Sequence, residues 1–163
     1  MEHHEPSHNH HTHNGPGNHE PSMTHHEPEI DAQGYGTMLR IDASKAVGPH
    51  RLEAMLGEVV MAIALECMQK GAKAIGHIKS NLSTSAGYVK ADVVRVKDGA
   101  YTESNLEKPG DGGDLVINSI VLGLEKEKIA EITLRLTKSI LKSYGFSSVE
   151  ETSCQVDLKR SSP

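Results

Sequence analysis

The chain has 163 residues, a hydrophobic share of 36%, no Trp, one Phe (Phe146) and 17 basic against 22 acidic side chains. That length suits one domain plus a tail, and the near-neutral body lacks the basic surface that nucleic acid demands. Two cysteines, Cys67 and Cys154, stand 87 positions apart without a CxxC, which excludes a zinc ribbon and argues against a disulfide scaffold.

Residues 1–33 form a low-complexity, histidine-rich tail. Nine of the eleven histidines lie in the first 26 residues: His3, His4, His8, His10, His11, His13, His19, His25 and His26. No Lys or Arg precedes Arg40, and the tail carries Glu2, Glu5, Glu20, Glu27, Glu29 and Asp31. The segment repeats, since His4-Glu5-Pro6-Ser7 returns as His19-Glu20-Pro21-Ser22 and, shortened, as His26-Glu27-Pro28. So little apolar surface cannot offset the entropy of ordering, so the tail is expected to be disordered without ligand. Imidazole is the commonest side-chain ligand for transition metals. The expected cofactor is therefore a divalent Ni, Co or Zn ion held by these nine histidines. The opposing reading is a neutral solubilising tail.

An α/β domain is expected over residues 34–158. Thr37 to Asp42 alternates as a strand, with Leu39 and Ile41 on one face and Arg40 and Asp42 on the other. A short loop over 44–47 leads to Gly48-Pro49, where Pro suits the first helical position. Leu52, Met55, Leu56, Val59, Val60, Ile63, Ala64 and Cys67 then recur at helical spacing and form one apolar stripe, and Gly71 is a natural stop. Met61, Leu65 and Met68 lie off that stripe and offer a second contact surface.

Ile75–Leu82 and Tyr88–Val96 read as two strands around a turn over 83–87. Residues 97–114 read as a polar loop. Leu115–Leu122 is apolar on both faces, as expected of a central strand covered on both sides or placed at a subunit contact. A second amphipathic helix spans about 125–144, with Ile129, Ile132, Leu136 and Ile140 on its buried side. Residues 148–158 read as an edge strand, and 159–163 as a frayed C-terminus. The order β-α-β-β-β-α-β predicts an α+β fold: a two-layer α/β sandwich, mostly antiparallel, with two helices on one face. It is loosely ferredoxin-like with one extra strand, and the strand order stays open.

Within the body the chemistry is sparse. Gly71 to Ile78 has the glycine spacing of a phosphate-binding loop, but His77 and Ile78 stand where Lys and Ser/Thr are required. His77, with Lys79 and Lys90, could line a small anion or cofactor site, against the blander reading of a polar sheet face. His50, in the first turn of the helix, is expected to be neutral and exposed. Cys67 reads as an inert core thiol and Cys154 as unactivated. Glu107 and Asp111-Gly112-Gly113-Asp114 lack the spacing of a calcium loop and read as a solvated turn. No Ser-His-Asp arrangement, GxSxG or acid pair is present, so an enzyme is the less favoured reading.

From Leu39 onward, the phrases LRIDASKAVGPHRLEAMLGEV, KGAKAIGHIKSNL and GYVKADVV resemble the segment that follows the GTPase domain in CobW-type proteins. The likeness spans roughly 36–145 and rests mainly on Gly76-His77-Ile78-Lys79 and the helix before it. The family's GTPase domain and Cys motif are absent, so no catalytic residue carries over. The resemblance implies an accessory domain working beside a metal chaperone or metalloenzyme. The leading expectation is thus a metal-storage or metal-delivery accessory protein, cytoplasmic, with a metalloenzyme or GTPase client, or a second copy, as partner. No nucleic acid or membrane is expected. The alternatives are a small-molecule or anion-binding domain, with enzyme activity left open and metal affinity in the tail incidental, and a protein-interaction or oligomerisation domain.

Overall fold

A computed structural model describes residues 31–152, with side chains to Ser147. The elements run β1 (Ala32–Val47), α1 (Pro49–Gln69), β2 (Ala74–Thr84), β3 (Gly87–Val93), β4 (Tyr101–Ser104), β5 (Gly110–Leu122), α2 (Lys126–Ser143) and β6 (Phe146–Thr152). The six strands make one antiparallel sheet in the order β4-β3-β2-β5-β1-β6. Without β3 and β4 this order becomes β2-β5-β1-β6, the split β-α-β arrangement of ferredoxin-like folds. The fold is therefore the expected α+β sandwich, enlarged at the β2 edge by a two-strand insertion.

Helix α1 forms as its pattern predicts. Pro49 occupies the first turn, and all eight stripe residues are buried. Each such aliphatic side chain contributes on the order of 1.5–3 kcal/mol by leaving water, so α1 anchors the single core. That core joins Leu39 and Ile41 of β1, Ile78 and Leu82 of β2 and Leu115 and Ile117 of β5 to both helices. Leu65 and Met68 are exposed, while Met61 packs partly against the core.

Several boundaries move. The first strand begins at Ala32 and runs on to Val47, so it takes in residues 32–33 of the predicted tail and the predicted 44–47 loop. The second hairpin strand ends at Val93, and Val96–Asp98 is a single 3-10 turn. The predicted 97–114 loop contains β4 and the start of β5. The reading of Asp111–Asp114 as a solvated turn is corrected in the same way, because those residues lie in β5 between β1 and β2. Glycine is required there because the neighbouring backbones come close. A Cβ on Gly112 would lie 2.4 Å from the Ile41 carbonyl oxygen. The remainder of the predicted 148–158 strand, from residue 153, lies outside the described residues, as do the frayed terminus and Cys154.

β5 is central, and among the described residues only one of its faces is covered. Leu115, Ile117, Ser119 and Val121 face the helices, while Asn118 and Ile120 are exposed on the other side. In α2 the buried side includes Thr133 and Thr137, and Leu136 is only partly buried. Thr133 tolerates burial because its hydroxyl shares a 3.1 Å hydrogen bond with Ser119. The Thr137 hydroxyl is buried without a partner. Removing a buried, unpaired polar group while keeping its shape is stabilising. Thr137→Val is therefore expected to raise stability by about 1 kcal/mol, read as a higher urea midpoint with an unchanged m-value.

Candidate functional site on the open sheet face

Both helices lie on one face of the sheet, among the described residues nothing packs over the other face, and one glycine decides which β2 residues reach that open side. Ile75 and His77 would share a face in a regular strand. The β2–β5 register slips between them, so that Ile75 pairs with Val121 and His77 with Ile120. Gly76 is the extra residue of this bulge. A Cβ there would lie 3.0 Å from Ile120 Cγ2 and 3.2 Å from the Ile120 carbonyl oxygen. The slip leaves Ile75 and Ile78 in the core and turns His77 and Lys79 to the open side.

Lys90 joins them from β3, because the hairpin register sets Asn81 opposite Lys90 and Lys79 opposite Asp92. The structure thus brings His77, Lys79 and Lys90 onto one face. A shallow depression of about 350 Å³ lies there, lined by Lys79, Asn81, Lys90, Asp92, Val116 and Asn118. His77, which the sequence groups with the two lysines, is not among the lining residues; its Nε2 lies 3.4 Å from Oδ2 of Asp92, which is. That Nε2 is buried and makes no hydrogen bond among the described residues. Asn81 Nδ2 donates to Ser83 Oγ at 3.2 Å, and Asn81 Oδ1 is buried without a donor.

The surrounding charges are largely engaged. Lys90 Nζ lies 4.3 Å from the Tyr88 ring centroid, a cation–π distance. The Tyr88 hydroxyl donates to Glu103 at 2.7 Å, and this bond to the carboxylate holds the phenol above its ordinary pKa. Arg40 donates to Asp114 at 2.7 Å across β1 and β5. The Asp114 hydrogen bond and charge raise the guanidinium's already high pKa. Both groups are exposed, so the pair adds little stability. Apolar side chains interrupt this polar field, with Met38 and Ile120 each 37% exposed and Val94 49%.

Asn81, Asp92 and Asn118 line the depression beside Lys79 and Lys90, the two of the three singled-out residues that reach it. Asn118 is legible as the one amide inside the apolar run 115–122, whereas Asn81 and Asp92 become neighbours only through strand register. His50 is fully exposed, with Nδ1 3.4 Å from Glu53 Oε2. The nine tail histidines lie outside the described residues. Among the described residues, no three His, Cys, Asp or Glu side chains group closely enough to hold a metal ion. No helix among them is long and apolar enough to cross a membrane.

Cys67 is buried on the α1 stripe, and burial, with Glu66 nearby, pushes its thiol up to about 11. The thiolate is the reactive form. Iodoacetamide at pH 8 is therefore expected to leave Cys67 unlabelled until the chain is unfolded, as read by peptide mass mapping.

No family model matches the chain, and neither a curated protein nor a solved structure does. Fold and face together define a class of architecture, an α+β sandwich whose sheet is covered by helices on one side and bears a mixed polar and apolar surface on the other.

Proposed function

We propose that this chain is a metal-handling accessory protein. Its histidine-rich N-terminal segment stores or delivers Ni, Co or Zn, and the α+β body is the folded carrier that meets a metalloenzyme or GTPase client. The observation that carries this reading is the placement of nine of eleven histidines in the first 26 residues, with no Lys or Arg before Arg40. Imidazoles supply nitrogen ligands of the right softness for these ions, carboxylates between them add oxygen ligands, and no fixed cation competes. The resemblance of residues 36–145 to the segment after a CobW-type GTPase domain points to the same kind of work. Equilibrium dialysis against Ni²⁺ tests it. The full chain is expected to retain ions that residues 32–163 do not, and equal retention would overturn the proposal.

A second reading has its own observation, the depression flanked by Lys79 and Lys90. Two ammonium groups beside amide side chains suit a small anion such as phosphate or a carboxylate. Inorganic phosphate is then expected to raise the melting temperature of the wild type and not of Lys79→Ala/Lys90→Ala. No shift in the wild type would remove this reading.

A further inference from the structure

The depression on the open face is built from two adjacent cross-strand rows. Lys79 of β2 stands between Asp92 of β3 and Asn118 of β5, and Asn81 of β2 stands between Lys90 of β3 and Val116 of β5. Alternate residues of a strand share a face about 7 Å apart, and neighbouring strands lie about 4.8 Å apart. Lys79, Asn81, Lys90 and Asp92 therefore mark the corners of a small square. Its ammonium groups, Lys79 and Lys90, stand on one diagonal, and its acceptors, Asp92 and Asn81, on the other. Lys79 is directly opposite Asp92, yet no salt bridge joins the two among the described residues. The Asp92 carboxylate accepts no hydrogen bond among them either, and its near neighbour is His77 Nε2 at 3.4 Å. Asn81 donates to Ser83 Oγ, which fixes its amide and leaves the buried Oδ1 without a donor. An acceptor buried in this way costs the full desolvation of the group until a donor reaches it.

We infer that this square binds a small aliphatic α-amino acid as its zwitterion. The inference rests on the anion reading of the same depression and gives the ligand a second, positive pole. A plain anion held by the lysines would lie beside the Asp92 carboxylate, which repels it, and would bring no donor to Asn81 Oδ1. An α-amino acid carries a carboxylate and an ammonium on one carbon, so both poles fall within the square. The carboxylate takes charge-assisted hydrogen bonds from Lys79 and Lys90 Nζ, and the ammonium donates to the Asp92 carboxylate and to Asn81 Oδ1. The lysine stems are long enough to bring both ammonium groups inward, Lys90 leaving the Tyr88 ring on which it rests. The floor beside Asn81 is Val116, an apolar contact for an aliphatic side chain. At about 350 Å³ the depression is at the small end of ligand sites, which suits a molecule of this size.

The test is a titration of the full ¹⁵N-labelled chain, read by amide spectra, in metal-free buffer at pH 8, where imidazole is uncharged. The probes are L-valine, 3-methylbutanoate (valine without its ammonium) and 2-methylpropylamine (valine without its carboxylate). L-Valine is expected to shift the amides of Lys79, Asn81, Lys90 and Asp92 and to bind at least about tenfold more tightly than either analogue. Asp92→Asn is expected to weaken valine about tenfold and to spare 3-methylbutanoate, because only the ammonium loses its charged partner. Lys79→Ala/Lys90→Ala is expected to lose both ligands. The spectrum reports whether each variant is folded, and the three probes on the wild type decide the matter if a variant is not. Equal affinity for valine and 3-methylbutanoate, valine binding unchanged in Asp92→Asn, or phosphate binding without valine would overturn this inference and leave the anion reading in place. Amine binding as tight as that of valine, or no response to the three probes and to phosphate, would overturn both.

Discussion

Gly113→Ala is expected to cost about 3 kcal/mol or more, a large part of the 5–15 kcal/mol that holds a domain of this size together. Gly113 has φ +156°, and a Cβ built on it would lie 2.0 Å from the Ser83 carbonyl oxygen and 2.9 Å from the Ser83 carbonyl carbon. Those atoms are sheet backbone and cannot swing aside as a side-chain end could. Relief would require β2 and β5 to separate where Ser83 pairs with Asp114. These two strands carry the centre of the core through Leu82, Leu115 and Ile117. Gly48→Ala is the control, because a Cβ there meets nothing within 4 Å and φ is −66°. Its cost is expected to stay near 1 kcal/mol, the usual scale of a helix-cap change. Urea melts of the two variants check the contrast. Equal midpoints would mean that the β2–β5 junction is looser than the structure places it.

Acidification is expected to empty the metal sites. Imidazole ligates only in its neutral form, so protonation competes directly with the ion, and this side chain takes up its proton between pH 7 and pH 5. Below the ordinary imidazole pKa of about 6.5 each ligating imidazole weakens binding about tenfold per pH unit, so an ion held by three loses roughly a thousandfold or more in affinity between pH 7 and pH 5. Carboxylates respond differently, because they are still largely ionised at pH 5. An ion held by the tail's glutamates would lose only a small factor. Ni²⁺ titrations at pH 7 and pH 5 therefore separate nitrogen from oxygen ligation. A nearly unchanged affinity would assign the ions to carboxylates and remove the histidines from the account.

Much of the body was legible because its signals were local. The α1 stripe repeats at helical spacing from Leu52 to Cys67, and every one of its eight residues is buried. Leu39 and Ile41 alternate with exposed Arg40 and Asp42, as a half-buried strand must. β4 was not legible, because Tyr101–Ser104 is a four-residue edge strand with no buried side chain. The start of β5 was hidden by its composition, since glycines and aspartates read as turn chemistry. Here the glycines serve close backbone packing instead. The apolar run 115–122 reads as a strand covered on both sides or placed at a subunit contact, and among the described residues no helix packs on the side of Asn118 and Ile120. Thr133 and Thr137 are not legible as core positions, because a hydroxyl marks a residue as polar. Their burial follows from the face on which α2 meets the sheet.

For the candidate site, alternation and one glycine carried the reading part of the way. A glycine inside a strand marks a bulge or close backbone approach, and at Gly76 the β2 register contains the bulge. His77, Lys79 and Lys90 fall on one face, as their spacing predicted. The Asp92 carboxylate beside His77, and the meeting of Asn81 with Asn118 around the depression, depend on how three strands are set against one another. No single segment encodes that register.

The metal-handling account stands most directly on a calorimetric titration of Ni²⁺ into the full chain and into a variant with all nine tail histidines replaced by asparagine. The account predicts micromolar or tighter binding of at least one ion by the full chain and the loss of that binding in the variant. Equal affinity and stoichiometry in both chains would contradict it.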